Sequence, residues 1–99
     1  NSRLTRSSRC HAADMTNNGY FSHTSQDGRS ISDRVRQAGY SMRAVGENIA
    51  HGQQSPEEVV QGWMNSPGHC ANIMKNFQEI GVGFVAGKNM WVQNFGTSF

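Results

Sequence analysis

Ser55-Pro56-Glu57-Glu58-Val59-Val60-Gln61-Gly62-Trp63-Met64-Asn65-Ser66-Pro67-Gly68-His69-Cys70-Ala71-Asn72-Ile73-Met74 is the stretch whose reading decides the fold. Ser55 can cap a helix, Pro56 suits its first position, and Glu58 can bond back to complete a capping box. Val59, Val60, Trp63 and Met64 then supply a buried helical face, and Pro67-Gly68 breaks it before one or two further turns over His69 to Met74. Downstream the period changes. Ile80, Val82 and Phe84 alternate with small residues, Gly87-Lys88-Asn89 can turn, and Trp91, Val92 and Phe95 continue in strand-like composition, which predicts a terminal β-hairpin.

Upstream, Leu4, Ser8, His11 and Met15 recur at helical spacing, and Asn17-Asn18-Gly19 supplies a stop, so a helix with one thin apolar face is expected from Leu4 to about Asn18. Tyr20 to Ser30 reads as a polar loop, with turn chemistry at Ser25-Gln26-Asp27-Gly28 and His23 lacking helical neighbours. Ile31 to Ala38, closed by Gly39, reads as a second short helix, and Val45 to Gly52 as an irregular or extended stretch. Helices therefore precede an antiparallel sheet.

The chain has 99 residues, enough for one domain over 1–99. Its apolar runs are far shorter than the ~18 residues that span a bilayer. A start at Asn1, with no basic-then-apolar leader, leads us to expect a processed chain or a piece whose export signal has gone. Leu, Ile, Val and Phe make only 17 of the 99 residues, so the core is expected to be small and to need help from a ligand, cross-link or partner. A net charge of +2 argues against nucleic acid, since Arg3, Arg6 and Arg9 are not followed by a basic stripe with interleaved aromatics. Cys10 and Cys70 lack Cys-x-x-Cys pairing, which leaves one long-range disulfide or two free thiols.

Gly81-Val82-Gly83-Phe84-Val85-Ala86 matches G-x-G-x-x-A, but it lies inside strand periodicity instead of opening a helix, and nucleotide binding is discounted on that context. His-Glu-x-x-His, Gly-x-Ser-x-Gly and P-loop signatures are absent. The polar groups left unexplained by local structure are His23 in a loop, Glu47 between Gly46 and Asn48, and His69 just after Pro67-Gly68. Each stands where a loop meets an element, the place from which a scaffold can point side chains into one cleft.

From Met15 onward the sequence resembles the CAP superfamily (cysteine-rich secretory proteins, antigen 5 and pathogenesis-related 1 proteins) in its compact bacterial form. The resemblance is carried by Phe21-Ser22-His23-Thr24, Gly46-Glu47-Asn48-Ile49-Ala50, Trp63-Met64-Asn65-Ser66-Pro67-Gly68-His69, Ala71-Asn72-Ile73-Met74, Glu79-Ile80-Gly81-Val82-Gly83 and Trp91-Val92-Gln93-Asn94-Phe95-Gly96. It implies an α+β fold, an α-β-α sandwich with a central antiparallel sheet and helices on both faces, in a family that is typically secreted. The family normally has another amphipathic helix before the one near Leu4. Its apparent lack implies an uncovered apolar patch, beside Leu4 and Met15 or against the sheet, through which the protein would self-associate.

Family members carry a cleft lined by two histidines and two acidic residues. His23 resembles the first histidine, Glu47 the first glutamate and His69 the second histidine, with Asn48 beside them. Ser66 stands where larger members have the second glutamate. The resemblance implies a cleft that takes a small, lipid-like or extended ligand, with His23, His69 and Glu47 as ligands for zinc or another divalent metal. A metal-dependent hydrolase and a structural surface or coat protein are the alternatives. An even cysteine count, the family's oxidising surroundings and the thin core together lead to the expectation of a Cys10–Cys70 disulfide.

Overall fold

The computed structural model describes residues 1–99, with the order α1 (Ser2–Asn18), α2 (Ile31–Gln37), β1 (Met42–His51), α3 (Pro56–Met64), α4 (Pro67–Met74), β2 (Glu79–Val85) and β3 (Met90–Ser98). The strands form one antiparallel sheet in the order β1-β3-β2. Strand β3 is central because it offers apolar side chains to both faces, and Met90 through Phe95 are buried without interruption. On one face Met90 and Val92 join Ile49, Ala12 and Met15 under α1. On the other, Trp91 and Ala50 meet Val59 and Trp63 of α3. Helices thus cover the sheet on both sides. Leu4, Val35 and Tyr40 seal a third cluster where α1, α2 and the start of β1 converge.

Helix α1 buries Leu4, Ser8, His11 and Met15, the face its spacing predicts, and stops at Gly19 in the left-handed region at φ 66°. That conformation costs glycine little and other residues more. Ser30 and Asp33 form a reciprocal capping box that starts α2. At α3 the expected box is altered: Ser55 Oγ accepts from the Glu58 amide at 3.1 Å, but Glu58 Oε2 accepts from the Gln54 amide at 3.0 Å instead of from Ser55. Val45 to Gly52, expected to be irregular or extended, falls almost wholly within the ten-residue strand Met42–His51, whose register against β3 shifts once, between Met42 and Ala44.

The terminal hairpin forms as expected, but with its faces reversed relative to the apolar pattern. Gly81 and Gly83 point at α1, where an added Cβ would lie 2.1 Å from the Thr5 amide nitrogen and 2.4 Å from the Ser8 carbonyl carbon. The helix backbone rests directly on the strand, and Ser8 Oγ donates to the Gly81 carbonyl at 2.9 Å. Ile80, Val82 and Phe84 therefore face away from α1 and stay about 42–44% exposed. The G-x-G-x-x-A match is accounted for by this close helix–strand seat. Leu4 and Met15 are fully buried, so the patch expected beside them does not exist; the exposed apolar strip lies on β2.

The expected Cys10–Cys70 disulfide is not formed, and both cysteines are free. Cys10 rides on α1 and Cys70 on α4, helices on opposite faces of the sheet, and no bond can cross that layer within the ~7 Å limit on Cα separation.

Candidate functional site

Strand alternation decides where the expected cleft residues go. Glu47 pairs with Asn94 across the sheet and points to the α1–α2 side, whereas Asn48 pairs with Gln93 and points to the α3–α4 side. Glu47 is buried with its side chain wholly shielded. Its carboxylate accepts from Arg34 Nη1 at 2.7 Å and Nη2 at 3.1 Å, from Asn94 Nδ2 at 2.8 Å, and faces His23 Nδ1 at 2.9 Å. Burial by itself raises the pKa of this carboxyl, but the bonds from His23, Arg34 and Asn94 outweigh it and hold the group below its ordinary value. Glu47 is an anion at neutral pH, already saturated by protein donors.

On the opposite side, Asn48 is fully buried and ties α4 to β1. Its Nδ2 donates to the His69 carbonyl and to Gln93 Oε1, each at 3.1 Å, while its Oδ1 accepts from Asn72 Nδ2 at 3.0 Å. Ser66 begins α4 without bonding a backbone amide. Its hydroxyl instead meets His69 Nδ1 at 2.8 Å. Ser66 and His69 therefore act as one pair, and Glu47 and His23 as another, on different faces of the sheet.

Between β1 and α3 lies a groove of about 460 Å³, lined by Phe21, Ile49, His51, Trp63, Ser66 and His69 among others. Trp63 is fixed in its wall by an indole N–H bond to the Ile49 carbonyl at 3.1 Å. Phe21 is half exposed and lies with its ring 6.1 Å from that of His51. Of the expected cleft residues, Ser66 and His69 line this groove; Glu47, His23 and Asn48 do not.

A zinc site does not fit these residues. No group of three His, Cys, Asp or Glu side chains is assembled where an ion could sit. Glu47, the one carboxylate of the expected set, spends its oxygens on Arg34, Asn94 and His23. Sequence reasoning passed over Arg34 and gave no role to Asn94 or Asn72. Arg34 had a signal, since it stands three residues after Ile31 and beside Val35 on the inward face of a short helix. Asn94, next to Gln93 in a strand-like stretch bounded by Trp91 and Phe95, had another.

The Cysteine-rich secretory protein (CAP) family matches residues 1–95. This chain belongs to that family. The uncharacterized protein YkwD of Bacillus subtilis (strain 168) is 46% identical over 93 residues, covering 93% of this chain and 36% of its own length. The uncharacterized membrane protein YlbC of the same strain is 35% identical over 86 residues, covering 86% of this chain and 24% of its own. The chain thus spans only about a quarter to a third of the curated relatives it matches.

Among solved structures, an extracellular protein containing a SCP domain from Bacillus anthracis superposes with a TM-score of 0.91 at 32% identity, over 97% of this chain and 32% of that one. An outer surface protein from Borrelia burgdorferi gives the same TM-score at 22% identity, over 100% of this chain and 76% of that one, and shows the fold. The CAP fold is therefore an α+β sandwich here, as the resemblance implied. No helix is long and apolar enough to cross a membrane.

Proposed function

We propose that this CAP domain works outside the cell as a ligand-binding module, taking an amphipathic, lipid-like molecule in the groove between β1 and α3. The carrying observation is the groove itself: at about 460 Å³ it falls in the range of small-molecule sites, and its lining combines apolar Trp63, Val59 and Ile49 with polar Ser66 and His69. An acyl or ring body would lie on the indole wall, and a polar head would meet the Ser66–His69 pair. Extracellular action is supported by the description of the two structural neighbours as extracellular and outer surface proteins.

Gly62 gives a clean test. It lines the groove, and a Cβ built there meets nothing within 4 Å. Gly62→Leu should therefore block the groove without strain, while replacing a helical glycine stabilises slightly. Titration with a fluorescent fatty acid should show saturable binding by the parent and at least tenfold weaker binding by Gly62→Leu, with Tm equal or higher. Equal binding by both proteins, or none by either, overturns the proposal.

A second reading, hydrolysis, is favoured by the 2.8 Å contact between Ser66 Oγ and His69 Nδ1. Turnover of short acyl esters that disappears in Ser66→Ala would support it, and an inert parent would remove it. The exposed strip of Ile80, Val82 and Phe84 supports self-association. Light scattering over a concentration series, with Val82→Lys as the dispersing variant, tests that.

A further inference from the structure

The two edges of the sheet are finished differently. In the register of β1 on β3, His51 stands opposite Met90, and the next amide, that of Gly52, donates to the Asn89 carbonyl at 2.9 Å. Antiparallel ladders turn alternate residues toward each neighbour, so Trp91, Gln93 and Phe95 turn their backbone groups to β1, and Met90, Val92 and Asn94 to β2. Opposite those last three stand Val85, Gly83 and Gly81. The N–H and C=O groups of Ile80, Val82 and Phe84 are therefore directed off the sheet. As an outward group requires, the Ile80 carbonyl is free to accept from the Asn1 nitrogen, at 2.7 Å. The outward groups of Val82 and Phe84 have no partner in the chain.

At the β1 edge the same alternation directs Glu47 and Ile49 outward, and there side chains take the carbonyls: Asn72 Nδ2 donates to Glu47 at 3.0 Å and Trp63 Nε1 to Ile49 at 3.1 Å. Strand β2 has no such cover. From Ile80 to Val85 it also lacks the lysine, proline or bulge with which exposed edges are usually blunted. The residues that turn their backbone outward are the ones whose apolar side chains stay exposed. One line of residues thus offers hydrogen bonds and apolar contact together, at the period of a strand.

A second copy of β2 cannot take this place. The backbone of α1 rests directly over Gly81 and Gly83, and paired strands lie about 4.8 Å apart, whereas packed helices need about 8–10 Å. Pairing β2 with β2 would drive two α1 helices into each other. A strand with no helix above it fits. On the α1 side its residues must be small, as Gly81 and Gly83 are. Arg9 favours an acidic one among them, since it is exposed, enters none of the ion pairs, and has its backbone nitrogen 2.5 Å from a Cβ built on Gly83. We propose that the free edge of β2 receives an extended segment of a partner protein as a fourth strand, its apolar residues alternating with small or acidic ones.

The probe is the peptide acetyl-Val-Ser-Val-Asp-Val-Ser-Val-amide, and the readout is amide hydrogen exchange followed by nitrogen-15 NMR. In the free domain the Val82 and Phe84 amides should exchange quickly while those of Gly81, Gly83 and Val85 are protected. The peptide should slow Val82 and Phe84 saturably, by roughly tenfold or more. N-methylation of the peptide at alternate residues should abolish binding in one phase and be tolerated in the other, because only one phase turns its amides to β2. Val82→Pro removes an outward donor without touching the ladder to β3 and should weaken binding about tenfold. Arg9→Gln, or serine for the peptide's aspartate, should each weaken it about threefold. Face-to-face self-association of the Ile80, Val82 and Phe84 side chains leaves the edge amides exchanging, so it is read separately. Equal binding of both N-methylated peptides would reduce the contact to side-chain adhesion and overturn the proposal. So would exchange that ignores the peptide, or concentration-dependent protection of Val82 and Phe84 without it, which would put a second copy on the edge.

Discussion

Replacing Glu47 by Gln is expected to damage the fold before it damages any ligand binding. In the native domain the carboxylate neutralises Arg34, whose side chain is only 4% exposed, through two bonds of 2.7 and 3.1 Å. An amide keeps the volume but not the charge, so the guanidinium is left buried without a counter-ion, and breaking a buried pair in this one-sided way costs roughly 3–5 kcal/mol. A domain of this size holds about 5–15 kcal/mol in all. At ~4–8 °C per kcal/mol, Tm should fall by roughly 15–30 °C. Arg34→Met should cost a comparable amount, and the double variant about 2 kcal/mol less than the sum of the singles, because removing both charges leaves neither stranded. Urea denaturation of the four proteins measures the cycle. A loss below about 1 kcal/mol for Glu47→Gln, or strict additivity, would refute the assignment of Glu47 as the counter-ion that holds α2 to the sheet.

Gly81→Ala or Gly83→Ala should cost about 3 kcal/mol or more and weaken near-ultraviolet circular dichroism, because the new methyl meets α1 backbone; Gly87→Ala, with nothing within 4 Å, should be near neutral. Burial holds His11 below its ordinary 6.5, so stability present above that value is lost as pH falls toward the folded-state pKa; carbon-13 titration of the ring should place its midpoint below 6.5, and a midpoint at or above it contradicts the buried neutral ring. Glu47 acts in the same direction at lower pH, its contribution being lost as pH falls below about 4.5 and through its depressed folded value. Intact mass after alkylation under denaturing, non-reducing conditions should show two modified thiols, and an unmodified protein would restore the disulfide.

The helices were legible because their signals are local: Ser55-Pro56 and Asn18-Gly19 start and stop elements through bonds spanning a few residues. The family motifs likewise led to His23, Glu47 and His69. What sequence spacing could not show is the side of the sheet on which each residue lies. Glu47 and Asn48 are neighbours in the chain, and strand geometry sends them to opposite layers, one to Arg34 and the other to His69. The same limit hid the partner of Gly81. Alternation identified an apolar face on β2 correctly, but the contact that fixes α1 uses the glycine face, and close backbone approach leaves no mark in a hydropathy pattern.

That seat of α1 on β2 also constrains the order in which the domain can be made. Ser8 and Gly81 are 73 positions apart, yet the first helix has no other strand of comparable fit to rest on. During synthesis α1 leaves the ribosome with Leu4 and Met15 bare, and it must wait until β2 and β3 have emerged. Long-range closure of this kind slows folding and lengthens exposure to aggregation. Closure of the domain therefore waits for the hairpin, and a nascent chain stalled before Glu79 presents a sticky amphipathic helix that a chaperone, or the arrival of the hairpin, must cover.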